Sequence, residues 1–228
     1  MTCHTLHSRA RRGSPDPAGT PDRRSSSHHG NRLAQATTAI ALSNMERYRF
    51  HSDGALFYCT FSVVDWLPVF VAEAAFKIVT DSLNFCHANK GLRTNAYVIM
   101  PTHMHGIFFH ESFQAKPLEK VLTDFRKFTG RQLADYARSH LPHCFSEVFE
   151  ARAGEDRERR LWQPTRHPVQ METEGFWQVK LDYLHANPCR NGLVTRPQDW
   201  RFSSVRFWYP LSDGPIPVND VVLTPIYW

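Results

Sequence analysis

Two apolar runs, "RTNAYVIMP" (93–101) and "HMHGIFFHE" (103–111), stand on either side of a Pro-Thr break, and no other stretch constrains the fold as tightly. Both are dense in aromatic and branched residues and short enough to be strands, so they read as successive strands of one sheet. Upstream, "ALFYCTFSVVD" (55–65) has the same density between polar breakers and reads as a first strand. Between them, "VAEAAFKIVTDSLNFCHAN" (71–89) places Val71, Ala75, Ile78, Val79, Ser82, Phe85 and Cys86 near a 3.6 period, which predicts a helix covering the sheet. A second helix is predicted over "KPLEKVLTDFRKFTGRQLADYARSH" (116–140), with Pro117 in its first turn and Leu118, Leu122, Phe125 and Phe128 as its buried stripe. The order is β-α-β-β-α.

Further along, the charge-dense "EARAGEDRERR" (150–160) reads as a surface loop or hairpin tip between "SEVF" and "RLWQP". "METEGFWQVKLDYLHAN" (171–187) is predicted as a third helix, ended by Pro188 because proline disfavours helical geometry at the residue before it. The remainder has aromatic anchors without a clear period, and no internal repeat is found. Residues 1–44 are rich in Ser, Pro, Gly, His and Arg, a composition that cannot bury enough apolar area to order itself, so a disordered arm is expected. Aromatic density rises abruptly after Met45, which is a candidate translation start.

Of the formal charge of +5, the six arginines and two aspartates of residues 1–44 carry +4. Any basic binding surface in the rest must therefore be local. Five scattered cysteines without a C-x-x-C spacing argue against a disulfide framework or zinc knuckle and fit a reducing, cytoplasmic setting. No window approaches the ~20 apolar residues of a membrane span, so no membrane partner is expected.

In a strand, His103 and His105 project from one face while Met104 points the other way. Neutral imidazoles suit divalent metals, but two ligands from one strand need a third from elsewhere. For a bare H-x-H the commoner outcome is a pair of partly buried, hydrogen-bonded histidines. The third helix bears on the choice. Trp177, Leu181 and Leu184 form its core stripe, and Phe176, Lys180, Tyr183 and Asn187 form a second face. Asn187 offers a carbonyl oxygen to a metal, Tyr183 a hydroxyl able to attack phosphorus, and Lys180 a charge for a phosphate. On helix periodicity alone the same face reads more readily as a core-edge tyrosine, a solvated lysine and an asparagine cap before Pro188.

As a set, these residues resemble a known family. "MPTHMHGIFF" is similar to the histidine, bulky apolar, histidine motif of the HUH endonucleases. "LDYLHANPCRNGLVTRPQDWRFSS" resembles the tyrosine helix and following segment of the single-tyrosine transposases associated with repetitive extragenic palindromes (REPs), through Tyr183, Asn187-Pro188, Gly192-Leu193-Val194, Pro197, Trp200, Ser203 and Ser204. "DFRKFTGRQL" and "LWQ" add to a likeness that runs from about Arg47 to Trp208. After "LWQ", where many relatives carry a His-Asp-His or Glu-His cluster, this chain has "PTRHPVQ" with only His167; Cys189 stands where valine is common.

The resemblance implies an α+β, ferredoxin-like β-α-β-β-α-β sheet with helices on one face, spanning 45–210 between a basic arm (1–44) and a C-terminal extension (211–228). It further implies that His103, His105 and Asn187 bind one Mg²⁺ or Mn²⁺ ion, and that Tyr183 attacks a phosphate in single-stranded or hairpin DNA. The product is a 5′-phosphotyrosine link and a free 3′-hydroxyl, so rejoining needs no ATP. Arg126, Lys127 and Arg131, beside the apolar stripe of the second helix with Phe128 among them, fit phosphate contacts and base stacking, or else a solvated helix face. Two other readings compete: a silent hairpin-binding protein of the same fold, and an iron oxygenase, for which Asp182 is the nearest carboxylate but points about 100° away. Monomer and homodimer are both open.

Overall fold

A computed structural model describes residues 50, 54–155, 158–165, 168–210 and 221–226. The expected arm, the candidate start at Met45, His167 and most of the C-terminal extension lie outside the described residues. Four strands form one antiparallel sheet: β1 (Phe57–Ser62), β2 (Leu92–Met100), β3 (His103–His110) and β4 (Val169–Gln170), in the order β2-β3-β1-β4. The helices are α1 (Glu73–Lys90), α2 (Ala115–His140), α3 (His143–Ala151), α4 (Glu174–Arg190) and the short α5 (Val205–Trp208). None of the described helices is long and apolar enough to cross a membrane.

Strand alternation sorts the sheet into two apolar faces. Phe57, Cys59 and Phe61 of β1, Tyr97 and Ile99 of β2, and Met104 and Phe108 of β3 form one core with Phe76, Val79 and Leu83 of α1 and Leu118, Leu122 and Phe125 of α2. The alternate residues, Tyr58, Val98, Met100, Ile107 and Phe109, form a second core with Trp177, Leu181 and Leu184 of α4. The expectation of helices on one face is therefore corrected: α1 and α2 cover one face and α4 the other. The reason is energetic. Each large apolar side chain left in water forgoes about 1.5–3 kcal/mol, and β2 and β3 are apolar on both faces.

Smaller corrections have equally local causes. Val71 precedes α1 and is exposed, as is Phe85; Phe76 and Leu83 take the core positions instead. On α2 the buried stripe passes through Thr129 while Phe128 faces solvent, because the Thr129 hydroxyl donates to the Phe125 carbonyl and accepts from Trp162 Nε1. The segment before the charge-dense run is the helix α3, not one arm of a hairpin, and it buries Phe149. α4 continues through Pro188 to Arg190. A proline so near a helix end loses one backbone bond, and the carbonyls of Asn187, Pro188 and Cys189 are satisfied by the amides of Asn191, Leu193 and Gly192.

The outer edge of β2 is covered by chain from further along. Phe202 and Ser204 exchange backbone bonds with Ile99 and Tyr97, and Thr224 donates to the Thr94 carbonyl. At an irregularity between Thr94 and Ala96, the buried Asn95 side chain accepts from Trp177 Nε1 at 2.8 Å and donates to the Thr224 carbonyl at 3.2 Å. One side chain thus ties β2 to both α4 and the C-terminal segment. Gly106 in β3 keeps the strand able to pass beneath a packed ring, since a Cβ there would come within 2.2 Å of Phe108.

Candidate functional site

The face of the sheet under α4 carries the polar residues of interest. The β1–β3 register sets Thr60 opposite His105 and Ser62 opposite His103, and all four project toward the α4 side. His103 and His105 meet edge to face with ring centroids 4.8 Å apart. Each Nδ1 is hydrogen-bonded to a threonine hydroxyl at 2.9 Å, Thr102 for His103 and Thr60 for His105. When each Nδ1–H donates to its threonine, Nε2 is left with its lone pair. Burial pushes the His103 imidazole down to about 4, and burial, His103 and Lys180 push His105 down to about 3. Both rings are neutral at physiological pH, the form that ligates metals.

Helix α4 brings Tyr183 to this pair. Its ring lies 6.2 Å from the His105 ring, in an edge contact, and is 41% exposed. The N-cap Thr173 starts the helix by accepting from the Phe176 amide, and the Trp177–Asn95 bond fixes its height on the sheet. Lys180 Nζ sits 5.2 Å from the Tyr58 ring, 5.4 Å from Phe176 and 5.9 Å from Tyr183, a cation among three aromatic faces. Farther along, the Arg190 guanidinium lies 4.6 Å from the Tyr183 ring. Arg190 stands in the last turn of α4, where the sequence showed only a basic residue near a helix end. Trp66, edge-on to His103 at 5.6 Å, is 55% exposed and has a left-handed backbone, with φ of 55°.

Asn187, four residues past Tyr183, is buried, and its Oδ1 accepts from Asn191 Nδ2 at 2.8 Å. A carbonyl oxygen has a second lone pair, so this bond does not exhaust it as a donor to a metal. Among the described residues no three His, Cys, Asp or Glu side chains cluster as a metal site. Among the described residues, a third side chain joining the two imidazoles at a metal would have to be of another type, and an amide oxygen is a chemically suitable one. Asp182 is committed elsewhere: its Oδ1 accepts from the Tyr209 hydroxyl at 2.6 Å and from Gln178 at 3.0 Å.

The chain matches no protein-family model and no curated protein. Among solved structures it is similar to a REP-associated tyrosine transposase bound to a REP hairpin. The identity is 17% and the TM-score 0.49, over 75% of this chain and 88% of that one.

Arg126, Lys127 and Arg131 do not join the histidine–tyrosine cluster. They line a cleft of about 790 Å³ on the α2 side, with Arg159, Arg160 and Trp162. Arg126 is partly structural there, since its guanidinium donates to the Gln163 carbonyl and lies 5.7 Å from the Phe61 ring. Lys127 and Arg131 are exposed. The motif serines are structural as well: the Ser204 hydroxyl accepts from the Tyr97 amide and is hydrogen-bonded to His185 Nε2, joining α4 to β2.

Tyr58 was missed. It faces α4 from β1, its ring stacks on His105 at 5.3 Å, and burial, then Tyr183, raises its phenol well above the ordinary tyrosine range. In the sequence it is one aromatic among several in a strand, and nothing separates it from a core residue.

Proposed function

We propose that this chain is a metal-dependent DNA nicking and joining enzyme of the HUH, single-tyrosine transposase type, acting on single-stranded hairpin DNA. The observation that carries the reading is the meeting of His103, His105 and Tyr183, contributed by β3 and α4, two elements far apart in sequence. The antiparallel order β2-β3-β1-β4 is also the order a ferredoxin-like β-α-β-β-α-β sheet requires, which supports the finer fold assignment.

Tyr183 supplies the nucleophile. Its oxygen attacks the scissile phosphorus, the bond from phosphorus to the 3′-oxygen breaks, and the tyrosine proton is matched by the one the departing 3′-oxygen gains. Rejoining runs the same exchange in reverse with another 3′-hydroxyl. His103 and His105 would hold Mg²⁺ or Mn²⁺ through Nε2, with the Asn187 amide oxygen as third ligand. When bound, the ion supplies Lewis-acid polarisation of the phosphoryl oxygen. Lys180 and Arg190 put positive charge within 5.9 and 4.6 Å of the Tyr183 ring, close enough to attract a phosphate brought to its hydroxyl. Lys127 and Arg131, with the arginines of the α2 cleft, hold phosphates of the flanking DNA. In this reading residues 45–210 are the enzyme, 1–44 a basic arm and 211–228 an extension, working in the cytoplasm as a monomer or homodimer.

The test is to incubate wild type and Tyr183→Phe with labelled single-stranded hairpin DNA and Mg²⁺ or Mn²⁺. A covalent adduct on a denaturing gel is expected from wild type and not from the variant. Binding without an adduct under any palindromic substrate would instead identify a silent hairpin-binding protein.

A further inference from the structure

Tyr58 is buried, 5% exposed, yet among the described residues its hydroxyl has no partner at full hydrogen-bond geometry. The Thr60 hydroxyl lies close enough to favour the ionised phenol as a hydrogen-bonding neighbour, but the bond of good geometry that it makes is to His105 Nδ1, at 2.9 Å. An unpaired buried hydroxyl is unfavourable, and phenylalanine would fill the same volume without it. Its surroundings point to what it serves. The Tyr58 and Tyr183 rings both contact His105 and both lie within 6 Å of Lys180 Nζ, and Tyr183 adds to burial in raising the Tyr58 phenol.

Resting on the proposed nucleophilic role of Tyr183, we propose that the Tyr58 hydroxyl donates a hydrogen bond to the Tyr183 oxygen as negative charge develops on it. Charge develops there twice, when the tyrosine proton is lost before attack on phosphorus and when the tyrosine oxygen departs during rejoining. No proton is transferred from Tyr58: an ordinary tyrosine is protonated at neutral pH, and the phenol only donates. Its position on β1, fixed by pairing to β3 on one side and β4 on the other, makes it a rigid donor. Tyr58 cannot replace Tyr183 as nucleophile, because it is buried while Tyr183 is exposed to incoming DNA.

The experiment compares wild type, Tyr58→Phe and Tyr183→Phe in single-turnover adduct formation and in release of the adduct by a 3′-hydroxyl strand. Hairpin affinity and thermal midpoint are measured on each. Tyr58→Phe is expected to slow both steps by about 10- to 100-fold, the range for one hydrogen bond to a charged oxygen. Hairpin Kd and the midpoint are expected to stay level, or the midpoint to rise. Wild-type rates in Tyr58→Phe overturn the proposal and leave the reading of Tyr183 standing. So does a slower rate that merely follows a lowered midpoint or weakened binding, since that is what a packing role gives. If wild type forms no adduct, the nucleophilic reading fails and this proposal falls with it.

Discussion

The Thr60 hydroxyl lies 2.9 Å from His105 Nδ1, directly across the β1–β3 register. With Nδ1–H donating, this strand neighbour leaves Nε2 for a ligand and holds the ring in place. Thr60→Val keeps the shape and β-branching but removes the acceptor. Mn²⁺ affinity, measured by calorimetric titration, is expected to fall about 10- to 100-fold, the usual loss when such an orienting partner is removed. Thr60→Ser should recover most of it, and unchanged affinity in the valine variant would rule out the orienting role.

Trp66 is an exposed indole held beside His103 on a backbone that bulky residues avoid, at about 1–2 kcal/mol for each left-handed residue. Its neighbour Asp65 shares that conformation and is anchored by Arg152 through two bonds of 3.1 Å. Such a placement offers a base-stacking platform at the edge of the site. Trp66→Ala is expected to weaken single-stranded DNA binding by about 1–3 kcal/mol, and Trp66→Phe by less. Equal binding by all three forms, in a fluorescence-anisotropy titration, would count against it.

The α2 cleft separates two kinds of cation. Lys127 and Arg131 are exposed, so replacing both with alanine should reduce the slope of log affinity against log salt by about 1.4, at ~0.7 per phosphate contact on a single strand. Arg126→Ala should behave differently and lower thermal stability, because its guanidinium bridges the Gln163 carbonyl and the Phe61 ring. Salt titrations of the double variant and a melting curve of Arg126→Ala check the two expectations.

Acid should loosen the fold before the carboxylates titrate. His185 is pushed by burial from 6.5 down to about 3. Below pH 6.5 the unfolded chain takes up a proton that the folded one refuses. Stability is therefore full above pH 6.5 and is lost as pH falls toward 3, by up to ~1.4 kcal/mol per pH unit for one histidine. His103 and His105 act in the same sense. Urea midpoints measured from pH 8 to pH 5 should decline, with a slope about one proton smaller in His185→Phe; identical slopes would contradict the assignment.

The histidine pair on one strand face, the tyrosine face of α4 and the element order β-α-β-β-α were legible because each follows from a fixed period, two residues in a strand and 3.6 in a helix. Whatever depends on neighbours distant in sequence was not. Tyr58 looks like any strand aromatic until α4 is laid across it. The second covered face follows from β2 and β3 carrying large apolar residues on both faces, a pattern that calls for burial on each without naming the element that supplies it. The nine-residue α3 was hidden because the charges after it suggested a loop, and Phe145, Val148 and Phe149 make only one apolar face. Pro188 misled through a rule that holds in helix interiors and weakens in the last turn.

The most direct measurement is peptide mapping of the protein after reaction with a 5′-extended single-stranded hairpin and Mn²⁺. The expected result is a nucleotide adduct, joined through its 5′-phosphate, on the peptide containing Tyr183, abolished by Tyr183→Phe and by His105→Ala. An adduct on another residue, or one that survives Tyr183→Phe, would contradict the proposed function.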